Sequence, residues 1–426
     1  MGLSPILDPD TYVDGVPYDL LARLRAESAV TWVAEQDGPG FWAVLRHAEV
    51  RHVLRSPRVF SSQLGATQIR DPATPAALAF VRQMMLNQDP PDHSRLRGLL
   101  TAAFTSRAVA RLADRIDGWA RALVTTAAER GEFDFAKDVA ADLPLLTLAE
   151  VFGVPAADRW LMFDWSNRVI GFQDAEYAVS ATEGTGSTEL ARRALALRPQ
   201  PGPDGLMPDP RTREGMPDLY AYARDLGEFK RRNPGDDVMS ALMAQVDDEG
   251  GRVSIAEFEN LFWLFAVAGN ETLRNGIPGG MIALMSHRDA YRAVRADRSL
   301  VPGAVEEMLR WWTPVMHFRR TATVDTELAG TRIAEGDKVV VWFSSANRDE
   351  RVFPDPDTFD ITRRGNDHLS FGHGPHFCLG AQLARTQMRS MFQAVLDLPG
   401  ELHASAEPVR LRSNFQNGVK SLMVSG

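Results

Sequence analysis

Apolar residues recur at helical spacing over most of the chain. Leu112, Ile116, Trp119 and Leu123 are three or four positions apart, which places them on one face of a helix, and the pattern stops near Gly131. The same spacing predicts further helices over residues 138–153, 301–312 and 379–396. We therefore expect a mainly helical protein.

A capping signal marks the start of a long apolar helix. Ser254 and Glu257 match a capping box, in which each side chain bonds the other residue's backbone N–H. Pro278 should kink or end this helix, because it lacks an N–H and clashes with the preceding turn. The apolar positions that follow the cap are Leu261, Phe262, Phe265 and Ala268.

Signals for strands are fewer. Short runs at 41–45, 321–328 and 338–343 read as strands, and the last two flank the turn-forming pair Ala329-Gly330. The predicted fold class is mainly α with small β-sheets, in a single domain over residues 1–426. Residues 198–216 are rich in proline and glycine, but helical patterns flank them. We interpret them as a long surface loop within that domain, with the role of a mobile lid left open.

Composition narrows the classes of function. The 426-residue chain is 44% apolar and carries a net charge of −9, which argues against a nucleic-acid binder. Its longest apolar run, 261–268, is far shorter than the ~18 residues of a membrane span, and its start does not resemble a secretion signal. A single cysteine fits a reducing compartment. We expect a cytoplasmic monomer that binds neither nucleic acid nor membrane.

The single cysteine lies in an unusual segment, Phe371-Gly-His-Gly-Pro-His-Phe-Cys-Leu-Gly380. Gly372 and Gly374 permit a special backbone path, and Cys378 should open the helix that follows. A helix N-terminus stabilises a thiolate, which is a good iron ligand. Gly380 would let a flat ligand approach closely. A lone cysteine is by itself more often buried and inert.

The pattern Phe-x-x-Gly-x-His-x-Cys-x-Gly resembles the haem-binding loop of the cytochrome P450 family. The resemblance extends over residues 17–424. It implies the cytochrome P450 fold and a haem b (heme b, iron protoporphyrin IX) whose iron is bound by Cys378. By the same comparison, Phe371, Gly372, His376 and Gly380 belong to the haem site.

Basic residues elsewhere suit the haem carboxylates. His93 and Arg97 are four positions apart after a proline-rich helix start, so both fall on one helix face. Taken alone, they would read as a solvated basic face. The resemblance implies that they bind haem propionates and that Arg320 and His376 are further partners, although Arg319 is adjacent to Arg320.

Glu307 and Arg310 are three positions apart, which favours an ion pair on one helix face. Such a pair is often a surface feature of little consequence. The resemblance implies instead the Glu-x-x-Arg pair that braces the core behind the cysteine loop. The family often adds an arginine where this chain has Thr358, so the third member of the network is open.

The segment Ala268-Gly269-Asn270-Glu271-Thr272 interrupts the apolar helix. The segment could simply hold a glycine where two helices cross and an acid at the solvated edge of the helix. It also resembles the family's Ala-Gly-x-Glu/Asp-Thr motif, which implies that Glu271 and Thr272 relay protons to reduced dioxygen in a locally widened helix. Leu273 stands where the family often has a second threonine.

Segments that resemble the family's substrate-contact regions are mostly apolar, so we expect an apolar or aromatic small molecule. His317 could bond a substrate oxygen, or it is simply a packed histidine. The run from Ala268 to Asn275 is similar to that of actinobacterial P450s acting on sterols, terpenoids and branched lipids. The predicted pocket residues are Val267, Val315, His317, Phe318 and Phe415.

No flavin or nicotinamide fingerprint is fused to the chain, so electrons must come from another protein. The resemblance implies a ferredoxin and a ferredoxin reductase using NAD(P)H, with O2 as co-substrate, for hydroxylation or oxidative dealkylation. Arg95, Arg385 and Arg389 are candidates for docking the ferredoxin. The alternatives are a haem-thiolate peroxygenase using H2O2 and a non-catalytic haem-binding or helical interaction protein.

Overall fold

The computed structural model describes residues 4–180, 188–203, 205–246 and 252–426. Within these ranges the chain is mainly helical, with short strands. The helices are α1 (Tyr18–Glu27), α2 (His47–Arg55), α3 (Pro75–Val81), α4 (Asp92–Thr101), α5 (Ser106–Ala110), α6 (Ala113–Ala128), α7 (Asp142–Phe152), α8 (Arg159–Ile170), α9 (Ala175–Val179), α10 (Glu189–Leu195), α11 (Pro217–Arg232), α12 (Val238–Met243), α13 (Ile255–Ala268), α14 (Glu271–Ser286), α15 (Arg288–Ala296), α16 (Val301–Trp312), α17 (Phe343–Ala346) and α18 (Ala381–Leu396).

The strands form small sheets rather than one large one. A five-stranded sheet has the order β1-β2-β8-β5-β3, and the others pair as β4-β12-β9, β6-β7 and β10-β11. The strands are β1 (Val30–Val33), β2 (Phe41–Val44), β3 (Phe60–Ser61), β4 (Glu132–Asp134), β5 (His317–Ala322), β6 (Thr326–Leu328), β7 (Thr331–Ile333), β8 (Lys338–Trp342), β9 (His403–Ala404), β10 (Val409–Arg410), β11 (Val419–Ser421) and β12 (Met423–Ser425).

The chain forms two compact units, each assembled from separate stretches. The first, which we call the sheet unit, comprises Met1–Asp71, Phe104–Leu143 and Thr272–Gly426 and holds the strands named above. The second, the helical unit, comprises Pro72–Ala103 and Pro144–Glu271. The residues of the cysteine loop therefore belong to the sheet unit.

Strand β8 is the centre of the sheet unit's core. Side chains alternate between the two faces of a strand. Val339 and Val341 enter one apolar cluster, and Val340 and Trp342 enter a second cluster on the opposite face. The strand is therefore buried on both sides, which explains its continuous apolar sequence.

The predicted strand over 321–328 is wrong in its bounds, because the chain leaves the sheet in the middle of that run. Strand β5 ends at Ala322, and β6 begins at Thr326. Between them, Thr323 donates its backbone N–H to Val59 O over 2.9 Å. The turn at Ala329-Gly330 is confirmed: both residues have positive φ (49° and 80°), as a two-residue hairpin between β6 and β7 requires.

Aromatic rings form the core of the helical unit. The Trp165 ring of α8 lies 5.3 Å from Tyr222 of α11 and 5.9 Å from Phe262 of α13, between ring centroids. The Trp165 indole N–H also donates to Asp218 Oδ2 over 2.9 Å. These contacts hold three helices together and fix the position of α13.

Most helix predictions hold with shifted bounds. The capping box of Ser254 and Glu257 is confirmed, with both reciprocal bonds present. The prediction for 138–153 begins too early, because a π-helical turn over Phe135–Ala140 precedes α7. The predicted start at 379 is also early, since α18 begins at Ala381.

Pro278 does not end its helix. The interruption falls at Gly269 and Asn270 instead, and α14 continues past the proline to Ser286. Close packing is the physical reason: a Cβ built on Gly279 would lie 2.1 Å from Trp312 Cδ2. These contacts offset the hydrogen bond that the proline removes.

The proline-rich loop over 198–216 has no helix or strand in its described part, which excludes Asp204. Ion pairs anchor it near both ends. Arg198 binds the buried Asp164 through two nitrogens, at 2.9 and 3.2 Å, and Arg213 binds Glu259 at 2.7 Å. Among the described residues, no helix combines the length and the apolar character needed to cross a membrane.

Candidate functional site

Cys378 lies in the turn before α18, three residues ahead of its first residue, Ala381. The expectation that the cysteine itself opens the helix is therefore wrong by one turn. The Cys378 N–H donates to Phe371 O over 2.9 Å and closes the loop. Gly372 and Gly374 have φ of 70° and 72°, a region that favours glycine, so their sequence positions follow from the loop's shape.

Packing fixes one side of the loop and leaves the other accessible. A Cβ built on Gly374 would lie 2.5 Å from Leu54 O of α2, so only glycine allows this approach. Cys378 is exposed, as is Phe377 at 41%. Apart from its neighbours along the chain, no heavy atom of the described residues lies within 4 Å of a Cβ built on Gly380. A thiol beside open backbone, close to a helix N-terminus, fits a flat metal-bearing group bound through sulfur.

A buried ionic network lies in the same unit. Arg310 donates to both carboxylate oxygens of Glu307, at 2.7 and 2.8 Å, and both side chains are 0% exposed. The third member of the network is Arg363, whose Nε lies 3.2 Å from Glu307 Oε2. Asn366 Nδ2 and Asp360 N donate to the same carboxylate over 3.0 and 2.9 Å. The charges are therefore paired and hydrogen-bonded, as buried charges need to be.

Sequence reasoning missed Arg363. The family comparison placed the third member of the network at Thr358, five residues earlier. Thr358 instead contributes its carbonyl oxygen, which accepts from Arg310 Nη2 over 3.2 Å and from Arg363 Nη2 over 2.8 Å. The only signal in the sequence was the basic pair at 363–364, which nothing distinguished from surface arginines.

Arg319 and Arg320 are neighbours in β5 and lie on opposite faces of the sheet. Arg319 forms an ion pair with Asp71 at 2.5 Å. Arg320 is buried and donates from Nη1 to Arg319 O over 2.8 Å. Arg319 is thus occupied by the Asp71 carboxylate, whereas Arg320 lies on the other face of the sheet. His376 Nε2 lies 3.2 Å from Ser62 Oγ, a contact that orients the imidazole.

The helical unit carries the other predicted carboxylate partners. His93 and Arg97 lie in α4, four residues apart on one face. His93 is 2% exposed, whereas Arg97 is half-buried. Their spacing gives one helix face two donors for a carboxylate.

The end of α13 has an unusual exposure pattern. Val267 is buried, but Ala268 is exposed in an otherwise buried stretch. A Cβ built on Gly269 would lie 2.6 Å from Leu148 Cδ2 of α7, so close packing alone accounts for that glycine. An accessible small residue beside a glycine fits the approach of a flat group to this helix.

Glu271 and Asn270 are buried polar residues at the interruption of the helix. Ser166 of α8 donates its hydroxyl to Glu271 Oε2 over 3.3 Å, a contact that sequence reasoning did not anticipate. Asn270 is 0% exposed, and neither its Oδ1 nor its Nδ2 has a hydrogen-bond partner among the described residues. Thr272, the next residue in the chain after Glu271, is half-buried.

Strand alternation separates the predicted pocket residues of the sheet unit. Phe318 lies on the face of β5 that carries Arg320, whereas His317 lies on the other face, with its ring 4.7 Å from the Trp342 ring. Burial lowers the pKa of His317 to about 3, and a hydrogen bond to the Asn414 backbone opposes this shift.

Phe415 covers the end of this strand from the C-terminal segment. Its ring centroid lies 5.5 Å from that of His317 and 5.7 Å from that of Phe318. Val315 pairs with Gln416 in an isolated bridge and packs against the cluster that contains Val341. Phe318, Phe415 and Val315 thus form one apolar group in the sheet unit.

Comparison with known proteins identifies the family. The sequence model described as Cytochrome P450 matches residues 224–398. A steroid C26-monooxygenase of Rhodococcus jostii is 35% identical over 98% of this chain and 83% of its own length. The chain belongs to the cytochrome P450 family. A linalool 8-monooxygenase of Pseudomonas putida is 36% identical over 98% of this chain and 97% of its own length.

The fold of a solved cytochrome P450 matches as well. A Mycobacterium marinum P450 in complex with pseudoionone superposes with a TM-score of 0.85 at 34% identity, over 100% of this chain and 99% of that one. The protein is thus a haem-thiolate monooxygenase of the P450 fold that binds haem b. It uses O2 and electrons from NAD(P)H delivered by redox partners.

Proposed function

We propose that this P450 inserts one oxygen atom into a branched, isoprenoid-type hydrocarbon, such as a steroid side chain or a terpenoid. The similarity to a steroid C26-monooxygenase and a linalool 8-monooxygenase supports this class. So does the likeness to a P450 solved with pseudoionone. All three compounds are mostly hydrocarbon, which suits the apolar group of Val315, Phe318 and Phe415.

The single observation that carries the haem-thiolate chemistry of this proposal is the accessible thiol of Cys378 beside the open backbone of Gly380. Cys378 would bind the iron, and Phe371 and Gly372 would form the loop around it. When bound, haem supplies the binding and reductive activation of O2. The protein's own part is to keep the sulfur deprotonated, which the nearby N-terminus of α18 favours.

The propionates need cationic partners. We assign Arg320 and His376 in the sheet unit and His93 and Arg97 in the helical unit to this role. Ser62 would orient the His376 ring. Charge-assisted bonds of this kind are about twice as strong as neutral ones, so loss of one partner should weaken haem retention without abolishing it.

Proton delivery falls to Glu271 and Thr272. Glu271 can accept and release a proton, and Ser166 holds one of its oxygens. The Thr272 hydroxyl can donate to a polar group bound beside it and recover its proton from a neighbour. Ala268 and Gly269 would leave room next to it. The intact Glu271-Thr272 pair supports the monooxygenase over a peroxygenase.

A ferredoxin and its NAD(P)H-dependent reductase are the electron donors we propose, in the cytoplasm, with the enzyme as a monomer. Of the three candidate docking arginines, Arg95 is paired with Glu257 and Arg385 with Glu306. Arg389 has no ion pair within the described residues. It is therefore the best placed of the three to meet an acidic partner.

The first experiment is the spectrum of the reduced, carbon-monoxide-bound protein. We expect the red-shifted band of a thiolate haem, and its loss in Cys378→Ser with helical circular dichroism retained. A colourless protein, or an unchanged band in Cys378→Ser, would contradict the assignment. Turnover with ferredoxin and NAD(P)H against turnover with H2O2 alone separates the two enzymatic alternatives.

The proton relay has its own test. Thr272→Ala should retain haem and substrate binding but release much of its electron supply as H2O2. The measurement is the ratio of product formed to NAD(P)H consumed. Full coupling in Thr272→Ala would rule out the relay.

The substrate class is tested by titrating sterols and terpenoids and following the spin-state shift of the haem. Phe318→Ala should weaken the binding of any compound that causes this shift about tenfold, since the substitution removes a large apolar contact. His317→Ala is the matched control from the opposite face of the same strand. A larger loss in His317→Ala than in Phe318→Ala would reverse our assignment of the pocket face.

A further inference from the structure

A second charged cluster connects α16 to the cysteine loop. Arg385 of α18 donates to both carboxylate oxygens of Glu306, at 2.7 and 2.8 Å. His368 Nε2 lies 3.1 Å from the same carboxylate. Ser370 N–H donates to His368 Nδ1 over 3.3 Å, so the neutral ring carries its proton on Nε2 and donates to Glu306. We call Glu306, His368 and Arg385 the Glu306 cluster.

The cluster contacts the loop through one aromatic ring. The Arg385 guanidinium carbon lies 4.5 Å from the centroid of the Phe371 ring, within the range of a cation–π contact. The His368 ring lies 5.8 Å from the same ring. The backbone carbonyl oxygen of Phe371 in turn accepts a hydrogen bond from the backbone N–H of Cys378. A chain of direct contacts thus leads from Glu306 through Arg385 and Phe371 to the cysteine.

This geometry changes the reading of Arg385. A docking cation should extend into solvent, but the Arg385 side chain is only 23% exposed. Its bidentate pairing fixes the plane of the guanidinium, which lies against Phe371. Ordering a long side chain in this way is costly for a surface residue and useful for one that holds a ring in place.

We infer that Arg385, held by Glu306 and His368, is a positioning residue that clamps Phe371 against the cysteine loop and thereby tunes the reduction potential of the haem. The inference rests on the proposed binding of iron by Cys378. Loss of the clamp frees the Phe371 ring and loosens the loop that carries the sulfur. Removing one charge of the pair also leaves the other charge uncompensated near the iron. The sign of the charge that remains sets the direction of the shift in potential.

The test compares two variants with opposite charge effects. Arg385→Gln leaves the Glu306 carboxylate unpaired, so the midpoint potential should fall, because negative charge disfavours the reduced state. Glu306→Gln leaves the guanidinium unpaired, so the potential should rise. In both variants, a larger fraction of the carbon monoxide complex should absorb at the wavelength of the thiol-bound form than at that of the thiolate-bound form. If one variant does not yield holoprotein, the sign of the shift in the other decides.

Two further variants separate positioning from docking. Arg389→Gln removes the same charge from the next turn of α18, so it should lower the potential less than Arg385→Gln and leave the carbon monoxide spectrum unchanged. Arg385→Lys keeps the charge but not the flat, bidentate contact, so it should restore the potential more than the thiolate fraction. KM for ferredoxin should be unchanged in Arg385→Gln.

The inference is overturned if Arg385→Gln raises the KM for ferredoxin while leaving the potential and the spectrum unchanged. Potential shifts of the same sign in Arg385→Gln and Glu306→Gln would also overturn it. A wild-type protein without a thiolate band would overturn the proposed function first, before any variant is compared.

Discussion

Two adjacent glutamates on α16 have opposite surroundings. Glu307 is 0% exposed and is bound by Arg310, Arg363 and two further donors. The Glu306 side chain is 24% exposed and is bound by Arg385 and His368. Consecutive helix positions point about 100° apart, so one acid enters the core and the other reaches the cysteine loop.

The difference shows how burial decides what an ion pair does. A fully buried charge must keep every partner, because an unpaired one costs several kcal/mol. A partly exposed pair contributes less, because water replaces a lost partner. The Glu307 network is therefore suited to bracing the fold, and the Glu306 cluster is suited to adjusting a site that must remain accessible.

The largest effect should follow from Glu307→Gln, which leaves two buried arginines without a countercharge. We expect a loss of about 3–5 kcal/mol in the free energy of unfolding and little holoprotein at growth temperature. Denaturant unfolding and haem content measure this. Glu306→Gln is the matched control, and a similar loss in the two variants would break the comparison.

Arg363→Gln should have an intermediate effect. It removes one of the two cations bonded to Glu307 but leaves Arg310 in place. The expected loss is about 2 kcal/mol, typical of hydrogen bonds to a charged group. Urea midpoints measure it. A loss as large as that of Glu307→Gln would mean that Arg363, not Arg310, dominates the network.

Acidification should break the ion pairs of the Glu306 cluster, because it protonates the Glu306 carboxylate. Burial raises the pKa of Glu306, but the hydrogen bonds from His368 and Arg385 outweigh it and lower the pKa to about 2. Because the folded-state pKa is depressed, the pair stabilises the protein above pH ~4.5 and loses its contribution as the pH falls toward 2.

We expect this contribution to be about 1 kcal/mol at neutral pH, given the partial exposure of both side chains. The measurement is the difference in unfolding free energy between wild type and Glu306→Gln from pH 7 to pH 2.5. That difference should shrink steadily below pH 5. A constant difference would show that the carboxylate's charge is not what stabilises the cluster.

Thr358→Arg should have the smallest effect. It restores an arginine common in the family at this position, but Arg363 already donates to Glu307 and Thr358 is exposed. We expect a change within about 0.5 kcal/mol, as for most surface substitutions. Thermal unfolding measures it, and stabilisation by several degrees would show that the network lacks a cation.

Local features of this protein were predictable because neighbours in the chain decide them. The capping box of Ser254 and Glu257 involves residues three positions apart, and the turn at Ala329-Gly330 involves two. The spacing of Glu307 and Arg310 already places their side chains on one helix face. The cysteine segment was predictable for the same reason, since its glycines and Cys378 lie within ten residues of one another.

Features that depend on distant packing were not predictable in this way. Pro278 looked like a kink or an end of its helix, but α14 continues past it to Ser286, with Gly279 packed closely against Trp312. The run 321–328 looked like one strand, but a bend over residues 323–325, where Thr323 N–H donates to Val59 O, separates β5 from β6. Arg363 and Arg385 looked like any surface arginines, because only the fold determines which carboxylate each one meets.

The sequence by itself determined the mainly helical class, the P450 resemblance and the identity of the thiol, because each is written in short-range spacing and residue type. Only the tertiary structure decided which of two adjacent acids is buried and which arginine is the second cation bound to it. It also decided that Arg385 binds an acid beside the cysteine loop. Coulombic and packing energies depend on distances between residues far apart in the chain, and those distances exist only once the chain has folded.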